Sequence, residues 1–276
     1  MRFVFVNSGE STIRAFKKGI LEISSDISGR VTVDCFHGNL QQFVRTLKRS
    51  GDQKVAILSP ANSLCLMGAG FDRVITELFT KPGGDYRDFE AVVQNYTLSK
   101  YNGCIPPQTA SIVDLKQAFE NSNQKFDDLG TNVTHLIQTP TMAVPERITL
   151  TTVFYCMWNT LYACNDDFDT VVIPAIGAGY GGLPVPIAVR TICGALGIFY
   201  MDMQSSLSRG AAILLFLKKD IKAFANEQDI EKIEQFFRQE QYDHIQRKKL
   251  WVNTENRELD EPLEWPEFYR CLNSLG

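Results

Sequence analysis

The sequence of 276 residues lacks several features that would assign it to a common class of protein. Its seven cysteines include no Cys-x-x-Cys pair, the spacing that is typical of zinc sites. With 28 Lys and Arg against 32 Asp and Glu, the net charge is -4, so there is no general excess of positive charge for phosphate backbones. No apolar run approaches the roughly 18 residues of a membrane helix. These absences argue against a dedicated nucleic-acid-binding protein and a membrane protein, and we expect no metal or cofactor.

The cysteines and the first residues bear on where the protein is found. The cysteines are odd in number and scattered, which is typical of free thiols in a reducing compartment. The strand-like run Phe3–Asn7 is too short for the apolar region of a signal peptide, and no small-residue cleavage site accompanies it. We therefore expect a cytoplasmic protein, with the nucleus as the alternative.

What the sequence does contain is a set of short, continuously apolar runs. With 44% hydrophobic residues, the chain has enough apolar side chain to form a core. Four runs predict strands that are buried on both faces: Val31–Phe36, Val55–Leu58, Val171–Ile173 and Ala211–Leu217. Because helical patterns lie between them, the sequence predicts an α/β sandwich around a largely parallel sheet.

Two of the helical patterns begin directly after loops of small residues. The first has its apolar residues on one helical face, namely Phe71, Val74, Ile75, Leu78 and Phe79. The second begins at two prolines, where a missing N–H costs little, and comprises Pro184, Pro186, Ile187, Ile192, Leu196 and Phe199. Each pattern therefore predicts a helix whose N-terminus directly follows a loop of small residues.

The chain divides into a domain over residues 1–225, with its core at about 31–225, and a C-terminal extension over residues 226–276. An amphipathic helix is predicted over 229–248, and its apolar face is expected to pack on the domain. The end of the extension, 251–276, has no obvious period but carries several aromatic residues among charged ones. It is either an ordered wrap, which completes the core or covers a pocket, or a segment that binds a partner.

The first loop, residues 60–69, joins the strand at 55–58 to the helix that holds Asp72. It places Asn62 in a turn and ends in Gly68, Ala69 and Gly70 at the helix start, where small side chains let a ligand approach the backbone. The first turn of the helix favours anionic groups. Two interpretations stay open: the residues form a ligand site, or Asn62 only makes a turn and Asp72 is an ordinary first-turn acid.

The glycine loop, residues 174–184, follows the strand at 171–173. Its glycines are Gly177, Gly179, Gly181 and Gly182. They leave several N–H groups free to point at one place, and the helix start adds a favourable potential, as in a site for a diphosphate. The spacing is not that of a dinucleotide fold, and no Gly-Lys-Ser/Thr ending follows, which excludes a P-loop. The alternative is a flexible surface loop.

Together, the two loops resemble those of the macrodomain family. The matching residues are Ser59-Pro60-Ala61-Asn62-Ser63, Gly68-Ala69-Gly70-Phe71-Asp72 and, after a strand at 135–138, Pro140-Thr141, followed by the glycine loop. The resemblance covers roughly residues 31–225 and is closest to the fungal branch described as ADP-ribose 1''-phosphate phosphatases. It implies a three-layer α/β/α sandwich with a mixed, largely parallel sheet, and a small-molecule ligand that is ADP-ribose or a derivative, free or on an ADP-ribosylated protein.

The resemblance also implies roles for particular residues. Asn62 bonds a hydroxyl of the distal ribose, and Asp72 positions or activates a water beside the same sugar. Tyr180 lies against a ribose, and Asn39 stands where many macrodomains have an Asp that reads adenine. The other ligand-binding residues are Ser59, Gly68, Ala69, Gly70, Phe71, Ile176, Gly177, Ala178, Gly179 and Gly181.

Two departures from the family pattern bear on function. Asn39 has an amide oxygen in place of a carboxylate, and Gln138 stands where the phosphatase-like branch has a His that assists catalysis. His135 lies on the opposite face of a regular strand from Gln138 and is a poor substitute.

Three functions remain open. Asn62 and Asp72 favour an enzyme that acts on ADP-ribose 1''-phosphate or on an ester at C1''. The missing His favours a reader without turnover. A different α/β nucleotide enzyme with a glycine loop is the third.

Overall fold

The fold was obtained from a computed structural model, which describes residues 1–47, 53–81, 83–124, 126, 131–165, 167–219, 225–238 and 261–272. Strands and helices alternate along most of these residues. Within them, no helix combines the length and the apolar character needed to cross a bilayer.

The strands of the described residues form one sheet of six. They are β1 (Arg2–Asn7), β2 (Thr32–His37), β3 (Val55–Ser59), β4 (Ser111–Asp114), β5 (His135–Gln138) and β6 (Thr170–Ile173). The order across the sheet is β2-β1-β6-β3-β5-β4. All neighbours are parallel except β4 and β5, which are antiparallel. This confirms the mixed, largely parallel sheet that the resemblance implies.

The helices cover both faces of the sheet. Their bounds are α1 (Glu10–Glu22), α2 (Ser24–Ile27), α3 (Leu40–Thr46), α4 (Gly70–Phe79), α5 (Tyr86–Tyr101), α6 (Leu115–Asn121), α7 (Leu150–Cys164), α8 (Val185–Tyr200), α9 (Ser206–Phe216), α10 (Glu227–Phe236) and α11 (Trp265–Cys271). The helices predicted after the first loop and after the glycine loop are confirmed as α4 and α8.

Two apolar cores separate the layers, because successive residues of a strand point to opposite faces. Phe3 and Phe5 of β1 belong to the core that includes buried side chains of α1, α7, α8 and α9. Val4 and Val6 belong to the second core, with side chains of α3, α4, α5 and α6. Since the inner strands β1, β3 and β6 are buried on both faces, their apolar residues run almost without interruption, whereas the edge strand β2, predicted as buried on both faces, is only partly buried. The result is a three-layer α/β/α sandwich.

The prediction of a strand over Ala211–Leu217 is wrong, since this stretch lies in helix α9. Ser205 precedes the helix and its Oγ accepts a hydrogen bond from the backbone N–H of Ser208, 3.0 Å away, which fixes the helix start. The helix packs between α8 and α10, so that apolar residues are accommodated around most of its circumference. A continuous apolar run is compatible with such a helix as well as with a buried strand.

The described part of the C-terminal extension packs on the domain. In α11, Phe268 is fully buried and its ring lies 6.0 Å from that of Phe216. Arg190 of α8 pairs with Glu261 and Glu264, which precede α11. Residues 261–272 are therefore an ordered wrap that completes the core. The predicted helix over 229–248 is found as α10, which ends at Phe236; residues 239–248 lie outside the described residues, as do 251–260.

Candidate functional site

A cavity of about 370 Å³ lies at the carboxyl ends of β3, β5 and β6. Its walls come from the first loop and the start of α4, from the glycine loop, and from residues 139–149 after β5, here called the third loop. The carboxyl ends of parallel strands are the usual ligand-binding edge of an α/β sheet. Ten predicted site residues meet at this cavity, namely Asn62, Gly68, Ala69, Gly70, Phe71, Asp72, Gly177, Gly179, Tyr180 and Gly181.

Asn62 shapes the first loop with its own side chain. Its Oδ1 accepts hydrogen bonds from the backbone N–H groups of Leu64 and Leu66, at 3.1 and 3.2 Å, and its Nδ2 donates to the Leu66 carbonyl at 2.8 Å. The turn interpretation of Asn62 therefore describes what the side chain does. The residue also lines the cavity, so a contact with a ribose hydroxyl stays a prediction.

Helix α5 supports the first loop from the side away from the sheet. Glu90 accepts a short hydrogen bond from the backbone N–H of Met67. The ring of Tyr86 lies against Gly68, so that a Cβ at this glycine would be 3.0 Å from the tyrosine Oη, and the guanidinium of Arg73 lies 3.9 Å from the centre of the same ring. The loop is thus held by side chains that are not themselves part of the cavity wall.

The glycine loop is held by close packing of its own backbone. Gly177 has φ +83°, and a Cβ there would lie 2.6 Å from Val153 Cγ2. At Gly181 a Cβ would be 2.8 Å from the Gly177 carbonyl oxygen. Gly179, in contrast, has no atom within 4 Å of a Cβ position. Gly177 and Gly181 are therefore needed to form the loop, whereas Gly179 leaves open space at the cavity.

Backbone N–H groups are the polar groups that the glycine loop offers. Within the described residues, the N–H groups of Gly177, Gly179, Tyr180 and Gly181 have no backbone acceptor. Across the cavity, α4 begins at Gly70 without a side-chain cap, so its first N–H groups are also free of intrahelical partners. Among the described residues, no Lys or Arg lines the cavity. An anionic ligand would therefore be held by backbone dipoles.

Asp72 supplies the ionisable carboxyl of the cavity wall. It lies in the first turn of α4 and is only 8% exposed. Burial raises the pKa of Asp72 to about 7, although a hydrogen bond from Ser59 Oγ to Oδ1, at 2.6 Å, acts in the opposite direction. Near neutral pH the carboxyl can thus be present in both its protonated and its ionised form, which suits a group that accepts and returns a proton.

Four predicted site residues lie elsewhere. Ser59 is fully buried beneath Asp72, and Ile176 is buried in the core. Ala178 and Asn39 are not among the lining residues, and Asn39 Oδ1 accepts from the N–H of Gln42 as the N-cap of α3. The ligand-binding roles of these residues stay predictions.

The histidines of the described residues lie away from the cavity. His135 is on the sheet face opposite Asp72, its ring 5.1 Å from that of Phe168, and burial lowers its pKa. His37 Nε2 contacts the Ser8 carbonyl oxygen at 3.2 Å. The third, His244, lies outside the described residues. Among those that are described, no group of three or more His, Cys, Asp and Glu side chains could hold a metal ion.

The third loop belongs to the site as well, although its Pro140-Thr141 was noted only as part of the family match and none of its residues was predicted to bind a ligand. Thr141, Met142 and Pro145 line the cavity. The loop is joined to the first loop by hydrogen bonds from Thr141 N to Ala61 O and from Ser63 N to Met142 O. The predicted strand at 135–138 could have indicated that the third loop lies at the cavity. A strand parallel to β3 ends at the same edge of the sheet as β3, so the loop that follows it lies at that edge.

The fold and this cavity define a class: a three-layer α/β/α protein with a ligand cavity at the carboxyl edge of its sheet. Within that class, residues 35–245 match the family model of the macro-like domain. The match covers most of the chain, and the chain belongs to this family. Membership confirms the resemblance to macrodomains and supports ADP-ribose as the ligand.

Proposed function

We propose that this macrodomain hydrolyses ADP-ribose 1''-phosphate to ADP-ribose and phosphate, as the resemblance to the fungal phosphatase-like branch implies. The observation that carries the proposal is Asp72, a buried carboxyl in the cavity wall whose pKa is raised to about 7. A reader without turnover needs no such group, because burying an ionisable carboxyl is costly.

The cavity suggests how the substrate is oriented. The N–H groups of the glycine loop bind the diphosphate, with Tyr180 against a ribose. Gly68, Ala69 and Gly70 form the wall for the distal ribose and bring its 1'' position to Asp72. Holding the reacting groups in this way accounts for much of the rate acceleration that such a site can supply.

In the proposed step, the ionised Asp72 takes one proton from a water molecule as the water oxygen forms a bond to phosphorus. The bond between phosphorus and the 1'' oxygen breaks, and the electron pair stays on that oxygen. Asp72 then returns the proton to the 1'' oxygen, which gives ADP-ribose, while the second water hydrogen remains on the released phosphate. A pKa near neutrality is suited to both transfers.

The test is a phosphate-release assay in water enriched in oxygen-18. We expect release of phosphate that contains one labelled oxygen, because the water attacks phosphorus. Unlabelled phosphate would place the attack at C1'' instead and overturn the step written above. Absence of release, with ADP-ribose binding retained in calorimetry, would overturn the phosphatase proposal.

Asp72→Asn is the matched variant, since it keeps the shape of the side chain and removes the base. We expect phosphate release to fall by about 10²- to 10⁴-fold, the usual contribution of a general base, with ADP-ribose binding retained. Asp88→Asn is the control, because Asp88 is exposed in the first turn of α5. Full release by Asp72→Asn would remove Asp72 from the reaction.

A second candidate, removal of ADP-ribose from a protein, is favoured by the rim of the cavity. Leu64, Leu66, Val144 and Tyr180 lie on the three loops around it and are between 48% and 67% exposed. An exposed apolar rim is typical of a surface that meets another protein.

The two candidates differ in which substrate is consumed. Faster release of ADP-ribose from a mono-ADP-ribosylated protein than of phosphate from the free substrate would favour the second. A Leu66→Ser variant that slows only the protein-linked reaction would assign the rim to it.

A further inference from the structure

A group of three polar side chains lies beneath the cavity, between the sheet and α4. Ser59 and Gln138 end the neighbouring strands β3 and β5 and are register partners. Ser59 Oγ lies 2.6 Å from Asp72 Oδ1 and 3.2 Å from Gln138 Oε1. Both Ser59 and Gln138 are fully buried, and Gln138 Nε2 has no hydrogen-bond partner among the described residues. A buried amide hydrogen without a partner is costly, so its arrangement calls for an explanation.

The single proton of the Ser59 hydroxyl allows a second orientation of the Gln138 amide, in which Nε2 has a partner. When Asp72 is protonated on Oδ1, the carboxyl donates to Ser59 Oγ and the hydroxyl donates to Gln138 Oε1. When Asp72 is ionised, the hydroxyl must donate to the carboxylate and cannot donate to the amide oxygen as well. Rotation of the Gln138 side-chain amide by half a turn then places Nε2 where it donates to Ser59 Oγ. Each protonation state of Asp72 thus has a complete chain of hydrogen bonds, with the direction of donation reversed.

We propose that Ser59 and Gln138 are positioning residues for Asp72. We further propose that the side-chain amide of Gln138 rotates by half a turn, exchanging Oε1 and Nε2, as the Asp72 carboxyl gains and loses its proton. A neutral amide serves both states because it contains a donor and an acceptor. A thioether at this position would serve neither, and a carboxylate would oppose the ionised state. The importance for catalysis rests on the proposed function, but the hydrogen-bond chain does not.

Few charges compete with this chain in the described residues. The Cys65 thiol is neutral at pH 7, since burial raises its pKa to about 11. Arg73, the next residue along α4, pairs with Glu77 at 3.8 Å and packs over an aromatic ring. Of the other titratable side chains, Tyr86 and Glu90 of α5 contact the first loop, and Tyr180 of the glycine loop lines the cavity. Burial and Ser59 therefore dominate the titration of Asp72.

The first test follows Asp72 directly in the full chain without ligand. Carbon-13 labelling of Asp side chains gives its titration by NMR, with Asp72→Asn to assign the signal. Gln138→Met removes the amide at similar volume, and we expect it to raise the pKa of Asp72 by about one unit, because the ionised state loses a donor to Ser59. Ser59→Ala is expected to raise it at least as far. A pKa within 0.3 units of the wild type in folded Gln138→Met would overturn the proposal.

Thr139→Val is the matched control, since Thr139 is the next residue, is also buried, and pairs with Thr160 on the other face of the sheet. It is expected to leave the titration of Asp72 unchanged. An equal shift in this variant would show that the effect reflects general loosening of the strand end, and would overturn the assignment to Gln138.

A second measurement needs no substitution and so does not depend on whether variants fold. The side-chain NH₂ signals of Gln138 in the wild-type protein are expected to shift with pH along the same curve as the Asp72 carboxyl. Signals that stay constant through that titration would overturn the proposal.

Phosphate release then links the chain to function. If Asp72 is the base, the rise of activity with pH is expected to move to higher pH in Gln138→Met by the same amount as the NMR titration. An NMR shift in a protein that releases no phosphate would overturn the proposed function and leave the positioning of Asp72 intact. An unchanged pH profile in an active Gln138→Met enzyme would overturn its catalytic importance.

Discussion

The first loop and the glycine loop share one plan, a buried strand followed by small residues and a helix, but they are held in place by different means. In the first loop, side chains fix the backbone: the Asn62 amide from within and Glu90 from α5. In the glycine loop, the backbone packs directly against neighbours, as at Gly177. The difference is that the first loop and the start of α4 offer polar side chains to the cavity, whereas the glycine loop offers backbone N–H groups and the exposed ring of Tyr180.

This difference matters for what each loop tolerates. A substitution in the first loop removes one hydrogen bond or one ionisable group, and the loop retains its other contacts. A side chain added to the packed part of the glycine loop meets backbone or core atoms that cannot move aside. The predictions below test this contrast, beginning with the largest expected effect.

The pH dependence of stability should single out Asp72, which follows the first loop in the first turn of α4. The Asp72 carboxyl has an unfolded pKa of 3.8 and a folded pKa of about 7, so between these values the folded protein holds a proton that the unfolded chain has lost. Stability from this group is therefore present below about pH 4 and is lost as pH rises through about 7, by about 4 kcal/mol in all. Urea unfolding from pH 4 to 8 measures it, as the difference between wild type and Asp72→Asn.

Gly179→Ala serves as the control from the glycine loop, because it changes no group that titrates in this range. Its unfolding free energy should follow the wild-type pH dependence. If the unfolding free energies of wild type and Asp72→Asn had the same pH dependence, burial would not raise the pKa of Asp72 as described.

Gly177→Ala should be the most destabilising alanine substitution in the glycine loop. The new Cβ would require a positive φ and would lie 2.6 Å from Val153, and together these cost about 3 kcal/mol. Denaturant unfolding measures the loss. Gly179→Ala should lie within about 0.5 kcal/mol of wild type, because its Cβ meets open space. Equal losses at both positions would contradict the packing described for this loop.

Glu90→Gln should weaken the support of the first loop. The amide can still accept from Met67 N–H, but without the charge, so a loss of about 1 to 2 kcal/mol is expected. Hydrogen exchange of the Met67 amide should be faster in this variant. Gln94→Ala is the control, since Gln94 makes only a 3.4 Å contact to the Leu64 carbonyl, and its Met67 exchange should match wild type.

Tyr180→Ala should have the smallest effect, confined to ligand affinity. The ring is largely exposed and reaches across the cavity to Gly70, 3.7 Å from a Cβ position there. Loss of its contact with a ribose should weaken ADP-ribose binding about threefold to tenfold in calorimetry, with stability unchanged. Tyr162→Ala is the control, an exposed tyrosine of α7 outside the cavity.

Local patterns predicted the elements that position the site. The strand that ends at Ser59 and the helix that begins at Gly70 are found where the apolar pattern indicates, and α8 starts at its prolines. Ala211–Leu217 failed because an apolar run of seven residues does not distinguish a buried strand from a covered helix.

The contacts that define the chemistry were beyond local patterns. Gln138 was singled out as a departure from the family, but its approach to Ser59 depends on the pairing of β3 with β5 across 79 residues. Asn39 forms a capping box with Gln42 at the start of α3, and its predicted contact with adenine stays a prediction. Strand register decides the contact of Gln138, and a local apolar pattern does not show which strands pair. The Asn39-x-x-Gln42 spacing, in contrast, is itself a sequence signal of a helix start.

The order of the strands also sets when the cavity can exist during synthesis. Strand β3, which leads to Asp72, pairs with β5 and β6. Strand β1 pairs with β6 from Arg2↔Thr170 onward, so these pairs can form only after β6 has been synthesised. A nascent chain that stops before residue 170 therefore contains Asp72 but lacks the strand and the glycine loop that close the cavity. Since a ligand stabilises only the state that binds it, ADP-ribose can assist folding only after translation has passed the glycine loop.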